Sequence, residues 1–160
     1  MTLISRLGFV VATFCAMSIS IDAFAGGLPM GCIGMAANAY GLPPKLLHSL
    51  YLAERGEVGK AVYNKSNGTY DHGPFQINTI WLGKLGPYGI TANDLMNSPR
   101  INATTAAWLL RSQIILAKGD VWRGVGNYRS KTPRYHNEEV YRVAYYYRAL
   151  PDTISYTGTC

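Results

Sequence analysis

The amino-acid sequence predicts a single, mainly α-helical domain that carries one small irregular or β-structured insert. Apolar residues such as Leu46, Leu47 and Leu50 recur at helical spacing in several segments. A turn-rich stretch at residues 57–78 interrupts these helical segments. The chain has 160 residues and no repeat, low-complexity tract or linker divides it, so one domain is expected.

Residues 1–25 are predicted to be a cleaved signal peptide that precedes a domain spanning residues 26–160. Arg6 supplies a positive start, residues 7–21 are almost entirely apolar, and residues 23–25 read Ala-Phe-Ala, which suits signal peptidase. The apolar run is too short for a resident membrane helix. An uncleaved N-terminal anchor is the alternative. Export places the protein in the periplasm.

Of the three cysteines, Cys15 lies in the predicted signal peptide, whereas Cys32 and Cys160 lie near the two ends of the remaining chain. In an exported protein, such a pair predicts a disulfide. Two unrelated thiols remain the alternative, because the sequence does not show whether the two residues are close. Lipid attachment at Cys32 is disfavoured, since Pro, Met and Gly separate it from the apolar run.

The first two helices are predicted at residues 30–40 and 43–56. The first is rich in small residues and stops at Gly41. The second opens at Pro43-Pro44, where proline is tolerated in the first turn, and ends near Gly56. The insert then follows, and its turn residues suit a small hairpin.

Four further helical segments are predicted after the insert. A short helix at 77–85 is followed by breakers and by a helix start signal at Thr91. The longest helix covers 103–118, and its apolar face contains Ala106, Ala107, Leu110 and Ile114. A short helix covers 121–128, and the last covers 137–150, with Asn137 as its cap and with Glu138 and Glu139 suited to its N-terminus.

Glu54 is the first candidate for chemistry, because it continues the apolar stripe of the second helix. It lies four residues after Leu50 and seven after Leu47. Desolvation and the negative end of the helix dipole should both raise the pKa of its carboxyl. A protonated carboxyl near neutral pH is what cleavage of a glycosidic bond needs. The alternative is a helix-end glutamate paired with Arg55 or Lys60.

Two later segments add polar groups suited to sugars. Gly73 allows close backbone approach, and the amides of Gln76 and Asn78 can bond hydroxyl or acetamido groups. Residues 124–128, which include Asn127 and Tyr128, place small residues beside a phenol.

In this order, Glu54 at a helix end, Gly-x-x-Gln-Ile-Asn at 73–78 and Asn127-Tyr128 resemble the soluble lytic transglycosylase family. The lead-in at 43–47 and the stretch at 90–95 are similar too. The resemblance covers roughly residues 32–148, and it implies a fold like that of goose-type lysozyme. Residues 64–78 resemble small members attached to type IV secretion, conjugation and pilus systems.

The resemblance implies a role for each matching residue. Glu54 would be general acid and then general base, forming a 1,6-anhydro-N-acetylmuramic acid end without water or cofactor. Gln76 and Asn78 would line the groove, and Tyr128 would sit beside Glu54. The substrate's acetamido group replaces a second carboxylate. Asp71, the only nearby second acid, is interpreted as a turn residue.

The chain departs from the family pattern in three places. Arg55 stands where serine usually follows the glutamate, and it would lower the pKa of Glu54 unless it points outward. Phe75 replaces a frequent methionine, which is an apolar exchange. The segment after Asn127-Tyr128 continues with Arg and Ser instead of small residues, which changes that end of the groove.

Other sites are less well supported by the sequence. His48, His72 and His136 have no zinc-ligand spacing, so no metal is predicted, and His72 is interpreted as a solvated turn residue. Tyr141 is a further candidate for the groove. The net charge of +6 suits a carboxylate-rich cell wall, and export argues against nucleic acid as a partner.

The sequence therefore predicts a periplasmic lytic transglycosylase that acts on peptidoglycan glycan strands, locally opening the wall for a secretion, conjugation or pilus apparatus. The alternatives are a goose-type lysozyme-like hydrolase that uses water and a non-catalytic wall-binding assembly factor. Nucleic-acid binding by the basic surface is a more distant one.

Overall fold

The structure is a computed structural model that describes residues 27–160. The predicted signal peptide and Cys15 lie outside these residues. In the described part of the chain, no helix combines the length and apolar character that a membrane crossing would require.

The described residues form a mainly helical fold with a small sheet between the second and third α-helices. The helices are α1 (Met30–Ala39), α2 (Pro44–Glu54), α3 (Leu82–Leu85), α4 (Ala92–Asn97), α5 (Pro99–Leu116), α6 (Val121–Arg129) and α7 (Pro133–Ala149). Short 3₁₀ turns at Thr79–Trp81 and Gly86–Tyr88 flank α3. The predicted class, mainly α with a small β insert, is confirmed.

Three antiparallel strands follow α2: β1 (Ala61–Asn64), β2 (Thr69–His72) and β3 (Ile77–Asn78). Strand β2 is central and pairs with both neighbours. The register places Asp71 opposite Val62 on one side and opposite Asn78 on the other. Asp71 therefore lies within the sheet.

Helix α5 is the centre of the core and packs against α1 and α6, while α7 packs against α2 and α6. The face predicted for the longest helix, with Ala106, Ala107, Leu110 and Ile114, is buried. It meets Leu47 and Leu50 of α2 in one continuous apolar cluster. Burial of this face fixes which way the end of α2 points, and thereby places Glu54.

Several helix starts have side-chain caps that explain where they begin. Thr91 and Asp94 form a reciprocal capping box at α4. Ser98 accepts a hydrogen bond from the amide of Ile101 at α5, and Asp120 accepts one from Arg123 at α6.

A disulfide joins Cys32 of α1 to Cys160, and the C-terminal segment lies across α1. Gly31 and Gly34 permit this approach, because a Cβ atom at either position would overlap the backbone of Gly158 or Tyr156. The phenol of Tyr156 hydrogen-bonds Nδ1 of His48 at 3.2 Å. The ends of the described chain are thus held on the same side of the core.

Four details of the predicted elements are wrong. The last helix begins at Pro133, with Thr132 and not Asn137 as its cap residue, so Glu139 lies in its second turn and not at its start. The predicted helix at 77–85 instead contains β3, a 3₁₀ turn and only one turn of α-helix. Asp71 is a strand residue, not a turn residue. His72 is buried on the same strand, not solvated.

Candidate active site

Glu54 is the last residue of α2, where the helix ends in the left-handed conformation of Arg55, with φ 56°. Glu54 is half-buried, and the two leucines that precede it on the helix stripe are fully buried. Arg55 is exposed, and its Nη2 donates to the hydroxyl of Tyr146 at 3.2 Å. The guanidinium of Arg55 thus points to the hydroxyl of Tyr146 at the surface, as expected, while Glu54 is half-buried.

The pKa of Glu54 is raised to about 8, first by burial and second by the nearby carboxylate of Glu139. The guanidinium groups of Arg142 and Arg129 oppose this effect, and Asp71 adds a smaller upward contribution. Glu54 is therefore protonated in the native protein at neutral pH. That is the state in which a carboxyl can act as a general acid.

Glu139 of α7, whose charge acts on Glu54, is fully buried, with 0% of its surface exposed. Its Oε2 forms an ion pair with Nη2 of Arg142, one turn further along α7, and lies 3.6 Å from Nη1 of Arg129 on α6. Together, Glu139, Arg129 and Arg142 are called the charge cluster below. The cluster joins α6 to α7.

The turn at residues 73–76 packs directly against the end of α2. The amide of Gly56 donates to the carbonyl of Pro74 at 3.2 Å. A Cβ atom on Gly56 would overlap the carbonyl of Gly73, and one on Gly73, whose φ is +65°, would overlap the carbonyl of Leu95. Glycine is needed at both positions because two backbone segments are in close contact there.

Asn102 of α5 anchors this turn from below. Its Oδ1 accepts from the amide of Phe75 at 2.9 Å, and its Nδ2 donates to the carbonyls of His72 and Leu95 at 2.9 and 2.7 Å. Asn102 is fully buried, so these three bonds satisfy groups that water does not reach. The position of the turn relative to Glu54 is thereby fixed.

The two amide side chains predicted to bind sugar are both engaged within the protein. Gln76 has a positive φ of 50°, and its Nε2 donates to the carbonyl of Gly73 at 2.9 Å. Asn78 donates to Asp71 at 2.7 Å and to Thr69 at 2.8 Å, and its Oδ1 accepts from the amide of Ile80. These bonds hold both side chains in place, and their contact with sugar stays a prediction.

Asp71 is held by amides on both of its oxygens. Oδ1 accepts from Asn78 and Oδ2 accepts from Nδ2 of Asn64 at 2.8 Å. Both donors lie on strands adjacent to β2. Its charge makes a small upward contribution to the pKa of both Glu54 and Tyr128.

Tyr128 of α6 donates its hydroxyl proton to the carbonyl of Phe75 at 2.9 Å. Burial, followed by the charges of Glu54, Glu139 and Asp71, raises its pKa well above the ordinary value for tyrosine. The phenol is therefore neutral. The structure brings Tyr128 together with Glu54, Asp71 and the 73–76 turn.

Asn127 and Tyr141 lie elsewhere. Asn127 lines a depression of about 390 Å³ between α6 and α7, whose other polar lining includes Arg123, Lys131 and His136. Tyr141 is 77% exposed and borders a shallow groove of about 650 Å³ along α7. Neither lining includes Glu54, Tyr128 or Asp71, and the groove role of the two residues stays a prediction.

No cluster of three histidine, cysteine or acidic side chains within residues 27–160 is arranged to hold a metal ion. His72 stacks on Tyr70, with ring centroids 6.2 Å apart, and its Nε2 lies 3.4 Å from the hydroxyl of Thr79. Burial lowers the pKa of His72. This histidine therefore packs within the insert as a neutral ring.

Sequence reasoning missed the charge cluster and Asn102. Glu139, Val143 and Tyr146 follow the helical spacing that first singled out Glu54, so the same signal was present in α7. Asn102 carries no such signal, because its hydrogen-bond partners come from residues 72, 75 and 95.

No protein-family model matches this chain. The sequence is 27% identical over 101 residues to the invasion protein IagB of Salmonella typhimurium and of Salmonella typhi, an alignment that covers 63% of this chain and 62% of that protein. It is 29% identical over 116 residues to the X polypeptide of Escherichia coli, covering 71% of this chain and 67% of that protein. The chain thus spans less than two thirds of the length of IagB.

Proposed function

We propose that this protein is a peptidoglycan lytic transglycosylase. It would cleave the β-1,4 bond between N-acetylmuramic acid and N-acetylglucosamine and leave 1,6-anhydro ends. The observation that carries the proposal is the carboxyl of Glu54, which burial and Glu139 hold protonated near neutral pH at the residue that matches the family's catalytic acid. The ordered resemblance around it, at 73–78 and 127–128, supplies the substrate class.

The reaction needs no external reactant. The proton of Glu54 passes to the glycosidic oxygen, the bond from that oxygen to C1 of the muramic sugar breaks, and the acetamido oxygen of the same sugar bonds C1. The ionised Glu54 then takes the proton of the C6 hydroxyl while O6 bonds C1 and displaces the acetamido oxygen. Glu54 ends protonated, as it began, and one chain has become two without the addition of water.

Both half-reactions benefit from a pKa near the working pH. The group must first give a proton and then accept one, and efficiency in the two directions is best balanced when the pKa is close to ambient pH. A pKa of about 8 meets this condition, whereas that of an ordinary glutamate would leave too little of the acid form at pH 7.

Asp71 favours a second candidate, a hydrolase of the goose-type lysozyme class. Its carboxylate is fixed by Asn64 and Asn78, and its charge reaches Glu54. A fixed carboxylate beside a protonated acid is the arrangement used by two-carboxylate glycosidases, in which water attacks the sugar. In a transglycosylase the same carboxylate would stabilise positive charge at C1 without being a nucleophile.

The setting is part of the proposal. Export by the predicted signal peptide would place the enzyme in the periplasm, where it meets glycan strands. Two observations support local wall opening for an envelope apparatus: the resemblance of residues 64–78 to small machine-linked family members, and the similarity to a protein named for invasion.

Digestion of purified murein sacculi, with products resolved by mass spectrometry, tests the proposal. The wild type should release anhydro-muropeptides, Glu54→Gln should release none, and the exposed control Glu57→Gln should behave as wild type. Reducing-end products that disappear in Asp71→Asn would establish the hydrolase instead. A folded wild type that binds sacculi but releases nothing would refute both and indicate a wall-binding factor.

A further inference from the structure

The charge cluster on α6 and α7 is an unusual feature of this small core. Glu139 has no exposed surface, and its Oε2 is shared between Arg142 and Arg129. Its Oε1 is also buried and has no hydrogen-bond partner among the described residues, as is true of Nε of Arg142. An unsatisfied carboxylate oxygen in the interior normally destabilises a fold by a measurable amount.

Stability alone gives no reason to keep these charges. Position 139 belongs to the inward stripe of α7 that continues with Val143, which is fully buried, and Tyr146. An apolar side chain would fit this stripe, and replacing a buried ion pair by apolar residues is often neutral or stabilising. The cluster therefore needs an explanation from the site it adjoins.

The geometry connects the cluster to Glu54. Helices α2 and α7 pack together, and Arg55, the residue after Glu54, donates to the hydroxyl of Tyr146. Tyr146 lies seven residues after Glu139, two turns along the same face of α7. Helix α2 thus ends against α7, and the charge of Glu139 acts on the carboxyl of Glu54.

We propose that Glu139, held in place by Arg129 and Arg142, is a positioning residue that keeps the carboxyl of Glu54 protonated and oriented for proton transfer. The unpaired Oε1 is an acceptor that needs a donor, and a protonated carboxyl supplies one. Arg142 and Arg129 both pair with Oε2 of Glu139, so they fix the position of its carboxylate from two helices. The consequence for catalysis rests on the proposed function, but the effect on Glu54 does not.

The charged and titratable groups around Glu54 set the sign of each perturbation. From α7 these are Glu139 and Arg142, from α6 they are Arg129 and Tyr128, and from the sheet the group is Asp71. Tyr128 stays neutral throughout the accessible range. Removing the negative charge of Glu139 leaves the arginines unopposed, which favours the ionised form of Glu54. Removing Arg142 has the opposite effect.

The test uses two readouts on the same set of variants. The pKa of Glu54 is measured by carbon-detected NMR titration of its side-chain carboxyl in the free protein, assigned by its absence from Glu54→Gln. The pH dependence of kcat/KM on soluble glycan strands is measured in parallel. Glu139→Gln should lower the pKa of Glu54 and move the alkaline limb of the activity profile down by about one pH unit or more. Arg142→Gln should move both upward.

Glu138→Gln is the matched control. Glu138 is the adjacent residue on the same helix, is exposed and pairs with Arg134, so both its Glu54 titration and its activity profile should match wild type. Arg129→Gln provides a variant with less risk to folding, because the Arg129 side chain is 35% exposed, and it should move both readouts upward by a smaller amount.

The Glu54 titration tests the positioning role of Glu139, and the activity profile tests the proposed function. An unshifted titration of Glu54 in folded Glu139→Gln and Arg129→Gln overturns the positioning role, whatever the activity. If Glu139→Gln does not fold, Glu139→Leu, which continues the apolar stripe of α7, takes its place, and an unshifted pKa of Glu54 in that variant overturns the positioning role. Shifts of opposite sign in a protein without activity on any glycan would uphold the cluster's effect and refute the proposed function.

Discussion

Replacing Glu54 by glutamine should make the protein more stable at neutral and alkaline pH while abolishing cleavage. The carboxyl of Glu54 has a pKa of about 8 in the native protein, against an ordinary value of 4.5. Between these two values the native state holds a proton that the unfolded state has already lost. The free energy of unfolding of the wild type must therefore fall as pH rises through this interval.

The magnitude follows from the two pKa values. Their difference corresponds to about 5 kcal/mol above pH 8 and to about 3 kcal/mol at pH 7. Because Glu54 retains some exposure, solvent screening reduces this cost, and we expect about 2 kcal/mol at pH 7. Glutamine has a similar shape and no charge. The gain of Glu54→Gln over wild type should therefore be near zero at pH 4 and greatest above pH 8.

Urea unfolding at a series of pH values between 4 and 9 measures this difference directly. Thermal unfolding should give a Tm higher by several degrees for Glu54→Gln at pH 8. Glu57→Gln, which replaces an exposed residue paired with Lys60, is the control for a general charge effect and should stay within about 0.5 kcal/mol of wild type. A stability difference for Glu54→Gln that is constant with pH, or one that favours wild type at pH 8, would contradict the assigned environment of the carboxyl.

Three other substitutions test the supports of the site. Asn102→Ala should lower the free energy of unfolding by about 3 kcal/mol, measured by urea titration, since it leaves three buried backbone groups unpaired; a loss below 1 kcal/mol would contradict its anchoring role. Gly73→Ala should reduce both stability and sacculus cleavage, because its positive φ and its contact with Leu95 leave no room for a Cβ atom; a variant as active as wild type would refute this. Cys32→Ser should lower stability under oxidising conditions by up to about 5 kcal/mol, because the disulfide joins residues 128 positions apart; equal unfolding midpoints with and without the substitution would exclude the bond.

The helices were predictable because each buries one face, and such a face leaves a periodic pattern in the sequence. The stripe of α2 identified Glu54, the one polar residue that continues it at the helix end. The same reasoning failed in α7, because Glu138 and Glu139 were placed at the start of the helix, where acidic residues need no further explanation. The pair Thr132-Pro133 marks the true start, since proline is favoured in the first turn.

The insert was only partly predictable, since its structure depends on contacts with distant residues. The turn residues Asn67 and Gly68 are visible in the sequence, but the pairing of β2 with both neighbours is not. Asp71 was therefore interpreted as a turn residue, although its amide donors lie on the two adjacent strands. The hydrogen bonds of Asn102 join α5 to three separate places and could be seen only in the fold.

The groups around Glu54 have opposing effects on its pKa. Their relative size explains why burial alone does not set the pKa needed for catalysis. Burial is the largest contribution to its raised pKa, Glu139 is the second, and Arg142 and Arg129 act against both. If only burial and a neighbouring carboxylate acted on Glu54, its pKa would be too high for it to transfer the proton to a leaving oxygen. The arginines lower the pKa of Glu54 and also pair with Glu139, so the same two groups fix the position of Glu139 and limit its effect on Glu54. Burial alone would not set the pKa of a glutamate at a particular value. A pKa near the working pH requires charges of both signs at fixed positions, and α6 and α7 provide them.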